Sequence, residues 1–341
     1  MSIESATPNR YDVADRAPFR IADVLLRWET ILVLLLAAVI AFNTSISPYF
    51  LDIYNLSDAT VNFSEKAIVA LGMALLIISR DIDLSVAAII AVASLAMGEA
   101  AAAGAPAVVL VLIGLGTGAL CGAFNGALVT GFGLPSIVVT IGTMSLFRGL
   151  AQVVLGDQAI KNYPPGFTAI GHGYLLNGSP IALPITLSFT TFLALAGLFG
   201  YVLHRTVVGR RIFALGNNPV AARFSGIPVD SIRFWLFVVT GAMAGLAAVF
   251  LTARIGSTRP NIALGFELEA VTMVVLGGVS IAGGSGTIPG VVLAVFVLGL
   301  TTFGLSLINV PGIVINVLNG SLLIAAISLP IIARKFLGKR I

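Results

Sequence analysis

The groups that could do chemistry are few and lie in short polar islands. Asp81 and Asp83 share "RDIDLS", Glu267 and Glu269 share "FELE", Glu99 sits near the end of an apolar run, and Arg148 lies inside "TIGTMSLFRGLAQ". In hydrocarbon a carboxylate needs a partner, and such groups often mark an ion path. None of these acids falls at the centre of an apolar run, which argues against an ion-coupled carrier. Arg148 lies close enough to the outer end of its run to snorkel. His172 and His204 are far apart and on opposite sides of the expected topology, so they do not form a metal pair. Cys121 is the single cysteine and lies in an apolar run, which rules out an internal disulfide or a thiolate cage. No G-x-x-x-x-G-K-[ST] stretch occurs, so the chain does not bind ATP in the usual way. "GGVSIAGGSG" is rich in glycine but has apolar segments on both sides and no strand before it, so a dinucleotide-binding reading fails. With no Ser–His–Asp set either, the residues argue against an enzyme.

The elements that hold these islands are membrane spans. Hydrophobic residues make up 58% of the 341-residue chain and charged ones only 10%, and the mean hydropathy is +1.05. A soluble domain needs roughly a quarter of its residues charged. Barrel strands alternate apolar and polar residues, whereas these runs are apolar on every side. The helix is the spanning structure left, because hydrocarbon offers no partner to an unpaired N–H or C=O. The fold class predicted is therefore an all-α integral membrane protein. Ten spans are expected near 29–47, 66–80, 85–103, 106–129, 135–155, 181–203, 232–253, 267–282, 287–307 and 311–333. Two of them, 66–80 and 267–282, are shorter than a full crossing of about 20 residues. With the N-terminus inside, 14 of the 19 Lys and Arg residues fall on the cytoplasmic side, as the positive-inside rule requires. Both termini are then cytoplasmic. Residues 1–28 form a polar head without an evident cleavable signal, part of it (18–28) lying along the membrane surface. Residues 29–333 form the membrane domain, and 334–341 a basic tail.

An internal echo appears at an offset of 202 residues. "EKAIVALGMALLIIS" breaks at "RDIDLS" before "VAAIIAVASLAMG", and "ELEAVTMVVLGGVSI" breaks at "AGGSGT" before "IPGVVLAVFVLGL". Paired short or broken helices at matching places in two halves point to a transport path, although any two apolar hairpins share some likeness. The basic loop 205–231 is the most distinctive polar stretch. Its arginines suit a mere anchor. "ALGNNPVAARFSGI" suits a short helix capped by Asn217 or Asn218, stopped by Gly226 and presented to a partner. Both readings stand at this level.

That loop also carries a resemblance. "GRRIFALGNNPVAARFSGI" is similar to the cytoplasmic signature of the permease subunits of monosaccharide ABC importers, the ribose, xylose and rhamnose group. "DIDLSVAAIIAVAS", "GAFNGALVTGFGLPSIVVTIGTMSLFRG" and "FELEAVTMVVLGGVSIAGGSGTIPGVV" follow the same pattern in order, over about residues 30–333. "SPYFLDIYNLSDATVNFSEKA" and "STRPNIALGFELE" look closest to the rhamnose type. The resemblance implies an inner-membrane permease paired with a second copy or a paralogue. It also implies two ATP-binding subunits, a periplasmic sugar-binding protein, and no cofactor on this chain, since ATP and Mg belong to the ATPase. Nucleic acid has no part. Gly209, Arg210, Ala214, Gly216, Asn217, Asn218, Ala221, Ala222 and Gly226 would form the ATPase-coupling segment. One departure stands before "DIDLS": the family usually has glycine near the position of Arg80, so a different local turn is expected there.

The expected mechanism is alternating access, with the docked loop following the ATPase. Asn125, Thr140, Thr143, Ser145, Asn316 and Asn319 are polar candidates for the path, able to meet sugar hydroxyls. For each the plainer role is a helix–helix hydrogen bond, worth about 0.6 kcal/mol in membranes. The alternative class is an ion-coupled secondary transporter of a small polar solute.

Overall fold

The computed structural model describes residues 27–174 and 185–337, and these form thirteen helices with two isolated β-bridges. In chain order they are α1 (Trp28–Ile46), α2 (Ile53–Ile78), α3 (Val86–Ala102), α4 (Ala107–Gly131), α5 (Ser136–Leu155), α6 (Pro165–His172) and α7 (Leu187–Arg205). There follow α8 (Val207–Asn217), α9 (Pro219–Phe224), α10 (Val229–Ile255), α11 (Phe266–Leu276), α12 (Ile288–Leu307) and α13 (Gly312–Leu337). Seven, α1, α2, α4, α5, α7, α10 and α12, are long and apolar enough to cross a membrane. With α3, α11 and α13 they match the ten expected segments one for one. Residues 1–26 of the polar head and 338–341 of the tail lie outside the described residues, as do 181–184 of the sixth expected span.

One expectation is corrected. The segment 66–80 is not a short helix but the second half of α2, which runs for 26 residues. Its first half was hidden because Ser57, Asn62, Ser64, Glu65 and Lys66 lower the local hydropathy. Protein, not lipid, surrounds most of them: Ser57, Ser64 and Glu65 are buried. Glu65 therefore lies midway along α2 and does not open it. Its carboxylate takes both Arg254 Nε and Nη2 at 2.8 Å. Helix α11 is short as expected. Its 11 residues rise about 16 Å, roughly half of a bilayer core.

α2 is the axis of the bundle, with α7, α10, α11 and α12 packed around it. α1 lies outside, burying only Leu32 and Asn43, and exposes Ile31, Val33 and Leu34 as a lipid-facing side chain can. The tightest seam joins α4 to α10. Gly114, Gly118, Gly122 and Gly126 recur every fourth residue on α4; the first three meet Gly241 and Gly245 on α10, and Gly126 meets Phe234 and Phe237. A Cβ on Gly118 would collide with the Gly241 carbonyl oxygen and lie 2.7 Å from Gly245 Cα. In lipid such backbone contact takes the place of the hydrophobic drive.

The offset of 202 residues survives at helix starts. It carries Val86 onto Ile288, the first residues of α3 and α12, and Trp28 onto Asp230, the second residue of α10. Packing follows it too. α1 lies on α12 as α10 lies on α3, and α2 touches α12 as α11 touches α3.

Both breaks begin with the same terminator. At the end of α2 the N–H groups of Arg80 and Asp81 bond back to the carbonyls of Ile77 and Leu76. At the end of α11 those of Gly278 and Val279 bond back to Val275 and Val274. This pattern needs a left-handed residue just past the helix, and glycine usually supplies it. Gly278 does so at φ 86° and Arg80 at φ 71°. The turn at Arg80 is thus the one a glycine would make, contrary to expectation. A non-glycine residue held there costs about 1 kcal/mol or more.

Candidate functional site

The segment 205–231 folds as two short helices, where the sequence suggested one. Thr206 opens α8, donating to the Val202 carbonyl at 2.6 Å and accepting from Gly209 N at 3.4 Å. Asn218 opens α9, its Oδ1 accepting from Val220 N at 3.1 Å and Ala221 N at 3.0 Å. Pro219 at the first helical position costs nothing there. Gly226, at φ 79°, turns the chain after α9. Leu215, Ala222 and Val229 close a small core of their own with Ile227 and Ile232. Asn217 does not cap; it points the other way.

That other way leads to both helix breaks. Arg80 donates from Nε to the Gly216 carbonyl at 2.5 Å and from Nη2 to the Asn217 carbonyl at 2.6 Å. Asn217 Nδ2 reaches the Gly284 carbonyl at 3.3 Å, and Gly284 N donates to the Ile78 carbonyl at 2.9 Å. Gly216 sits where no side chain fits, since a Cβ would strike the Ile78 carbonyl oxygen and lie 2.5 Å from Gly284 N. The end of α2, the end of α8 and the 277–287 break therefore meet within one hydrogen-bonded cluster. A displacement of α8 would stretch its hydrogen bonds to both breaks.

The opposite side of α9 is free. Val220 and Phe224, four residues apart and so on one helix face, are 64% and 90% exposed. Large apolar side chains this open mark a surface that another protein could cover. Neither residue was singled out in the sequence. Their i, i+4 spacing was the available signal, and the alanines between them obscured it. Of the expected coupling residues, Gly209, Gly216 and Ala222 are buried inside the motif, while Arg210, Asn217, Asn218, Ala221 and Gly226 are exposed and Ala214 is half-buried.

The breaks themselves are anchored. Asp81 takes Arg233 in a two-pronged pair with both N–O distances 2.7 Å. Asp83 is fully buried and accepts from Ser85 N at 2.8 Å, Ser85 Oγ at 2.6 Å and Asn125 Nδ2 at 3.3 Å. Asn125 also donates to Ser85 Oγ at 2.8 Å. Thr140 Oγ1 reaches the Ile82 carbonyl at 3.3 Å. On the second break Trp28 Nε1 donates to the Leu276 carbonyl at 2.8 Å. Thr287 Oγ1 donates to Glu29 at 2.9 Å, and Ile288 N to His204 Nε2 at 3.3 Å.

The six polar candidates for the path are not brought together. Asn125, Thr140 and Thr143 are buried between helices, and Asn125 and Thr140 bond to the first break. Ser145 and Asn316 are exposed, and Asn319 alone lines a cavity of about 560 Å³. Nor does Arg148 reach for the surface. Its Nη1 holds the carbonyls of Pro260 and Ile262 at 2.8 Å each, fixing the loop between α10 and α11. That loop is also pinned by hydroxyls. Thr258 Oγ1 lies 2.6 Å from both Ser94 Oγ and Tyr163 Oη, and Thr252 donates to Ser94 at 2.8 Å. Burial pushes the Tyr163 phenol above its usual pKa, with the Thr258 and Ser94 hydrogen bonds acting the other way. Among the described residues no group of three His, Cys, Asp or Glu is placed to hold a metal ion.

With this geometry in view, the family is plain from comparison. Residues 55–327 match the family model for the branched-chain amino acid transport system permease component. The chain belongs to this permease family. The autoinducer 2 import system permease protein LsrD of Yersinia enterocolitica is 36% identical over 306 residues, 88% of this chain and 90% of that one. Its namesakes from Photorhabdus temperata and from an Enterobacter species are 35% and 34% identical, each over at least 88% of this chain and 90% of the relative. No solved structure matches the chain significantly. The chain is thus a multi-pass permease subunit of an ABC importer, and the relatives lend no support to an ion-coupled carrier. Membership implies an ATPase and a solute-binding protein as partners.

Proposed function

We propose that this permease carries a small sugar-like solute inward across the inner membrane by alternating access, and that α8 and α9 are where its ATPase docks. ATP and Mg are bound by that ATPase and not by this chain. The observation that carries the reading is the exposed Val220–Phe224 face on a helix pair whose other side is tied to both helix breaks. A push on that face is delivered to α2 and to the loop following α11 together. The excess of arginine and lysine in the head, the 205–231 segment and the tail favours both termini and the docking face lying in the cytoplasm. The working unit contains two permeases, either two copies or one copy with a paralogue.

Two solutes lead. The relatives carry the name autoinducer 2, and the segments around Phe50 and Arg259 resemble the rhamnose-type permeases. Uptake of each, supplied singly to vesicles holding the full complex, separates them. For docking, Phe224→Asp places a charge on the most open apolar residue of α9. Uptake is expected to fall at least tenfold while the variant stays in the membrane at normal abundance. Wild-type uptake by Phe224→Asp would refute the docking assignment.

A further inference from the structure

The loop between α10 and α11 is held in two ways that differ in kind. Its start is pinned by neutral groups. Thr258 exchanges backbone hydrogen bonds with Ile160 at 2.9 and 3.2 Å, and its hydroxyl meets Ser94 and Tyr163. Its second half, 259–265, receives side-chain hydrogen bonds among the described residues from Arg148 alone, through Nη1 to the carbonyls of Pro260 and Ile262. We propose that Arg148 is a two-position switch: it grips this loop in the present structure and moves onto Glu267, at the start of α11, in the other state of the transport cycle. The proposal rests on the alternating-access reading above and adds the residue that passes the loop's movement to α11.

Four observations converge on it. First, Glu267 is a carboxylate in want of a donor. Its Oε2 is shut away from solvent and accepts no hydrogen bond, whereas Glu65, Asp81 and Glu269 each hold an arginine or lysine at 2.6–2.8 Å. A buried acceptor left open is costly, and natural folds rarely leave one without a use. Its charge already acts on Arg148. Secondly, Arg148 has donors to spare. Nη1 makes both of its hydrogen bonds, while Nε and Nη2 make none among the described residues. A planar guanidinium fork suits a two-pronged carboxylate pair, as Arg233 forms with Asp81.

Thirdly, the gripped turn is strained. Ala263 stands at φ 59° directly after Ile262, in the left-handed region that crowds a Cβ. The present position therefore sets two charge-assisted hydrogen bonds against a strained alanine and an orphaned carboxylate oxygen. The other position forms an ion pair and lets the turn relax. Two arrangements with opposed gains and costs are what a bistable element requires. Fourthly, both ends of the switch lead somewhere. α10 has 27 residues and rises about 40 Å, so the loop lies far from the docking face on α9. α11 runs from Glu267 to the second break, where Gly284 meets Asn217 and Ile78. A charge pulled onto Glu267 thus acts on the helix that ends at the coupling cluster.

Hydrogen exchange of the loop amides, read by mass spectrometry over 259–265, tests the switch. The complex of permease, ATPase and binding protein is held in lipid nanodiscs, either resting or trapped with Mg-ATP and vanadate. In the wild type, trapping is expected to speed exchange at least fivefold as Arg148 leaves the loop. Glu267→Gln removes the attracting charge at equal size, and its exchange should rise less than twofold. Arg148→Gln should exchange fast in both conditions. Asp157→Asn, at an exposed acid elsewhere, should follow the wild type. A merely structural role for Glu267 would shift resting and trapped rates alike. An unchanged wild-type loop on trapping, or a full fivefold rise in Glu267→Gln, overturns the switch. If Glu267→Gln fails to assemble, Glu267→Asp, which withdraws the carboxylate by one methylene, is read by the same limits. The wild-type complex is also given autoinducer 2, L-rhamnose and D-ribose singly in vesicles. Absence of ATP-dependent uptake of all three overturns the import reading, whereas uptake with an unchanged loop overturns the switch alone.

Discussion

Replacing one hydrogen atom at Gly216 with a methyl group tests the link between docking and transport. A Cβ there would lie 2.5 Å from Gly284 N and closer still to the Ile78 carbonyl oxygen, where ordinary contact begins at 3.4 Å. Backbone bounds it on both sides, so no flexible side chain can yield. Helix α8 must withdraw by more than about 1 Å, as overpacking forces backbone shifts. Three hydrogen bonds then exceed 3.5 Å together: Arg80 to Gly216 and Asn217, now 2.5 and 2.6 Å, and Asn217 to Gly284, now 3.3 Å. At about 1 kcal/mol each, with allowance for their partial exposure, the tethered geometry loses roughly 2–3 kcal/mol. That is a shift of roughly 30- to 150-fold against it. The assay is solute delivered per ATP hydrolysed by the reconstituted complex, with assembly checked by co-purification. Gly216→Ala is expected to lower this ratio at least tenfold. Gly226→Ala meets nothing within 4 Å and only strains a φ of 79°, so it should stay within about threefold of wild type for a cost near 1 kcal/mol. An assembled Gly216→Ala complex with the wild-type ratio would refute the reasoning.

Three further substitutions follow from the same geometry. Arg80→Ala keeps the strained φ and loses two bonds, whereas Arg80→Gly loses the bonds but relieves about 1 kcal/mol of strain; the glycine variant should therefore melt about 2 °C above the alanine variant, and the reverse order would count against the strain. On the α4–α10 seam, Gly118→Ala should prevent stable assembly while Gly116→Ala, with nothing within 4 Å of its Cβ, should not; equal yields from membranes would remove the seam's importance. Arg233→Ala leaves buried Asp81 without its partner, at a cost of about 3 kcal/mol. Adding Asp81→Asn should recover part of that loss in a denaturation measurement, and strictly additive losses would show that the pair is not coupled.

What the sequence disclosed, and what it hid, divides along a physical line. Spans such as α4 and α12 were legible because uninterrupted apolar residues announce themselves. The first half of α2 was not, because protein shields its polar residues and hydropathy averages assume lipid. Capping by Asn218 was legible, since Asn-Pro before a short apolar run is a local signal. The cluster of Arg80, Gly216 and Gly284 was not, since its members are 136 and 68 residues apart in sequence and only folding joins them. Resemblance gave Arg80 as a departure, and the fold shows why it is tolerated: the side chain returns two hydrogen bonds for an unfavourable φ. The polar path candidates failed for the opposite reason. Asn125 and Thr140 carry the right chemistry, but each is occupied in holding the first break. The six candidates therefore did not converge on one path, whereas Lys66, Arg254 and Glu269, none of them a path candidate, line a cavity of about 560 Å³ together with Asn319.

The central claim is that this chain opens and closes a path but takes its energy from a separate ATPase. Its most direct test is uptake into vesicles containing the purified chain alone, or the chain with its ATPase and binding protein, with and without ATP. The account predicts no ATP hydrolysis and no gradient-driven uptake by the chain alone, and uptake only when both partners and ATP are present. Uptake by the chain alone, driven by a membrane potential or a pH gradient, would contradict it.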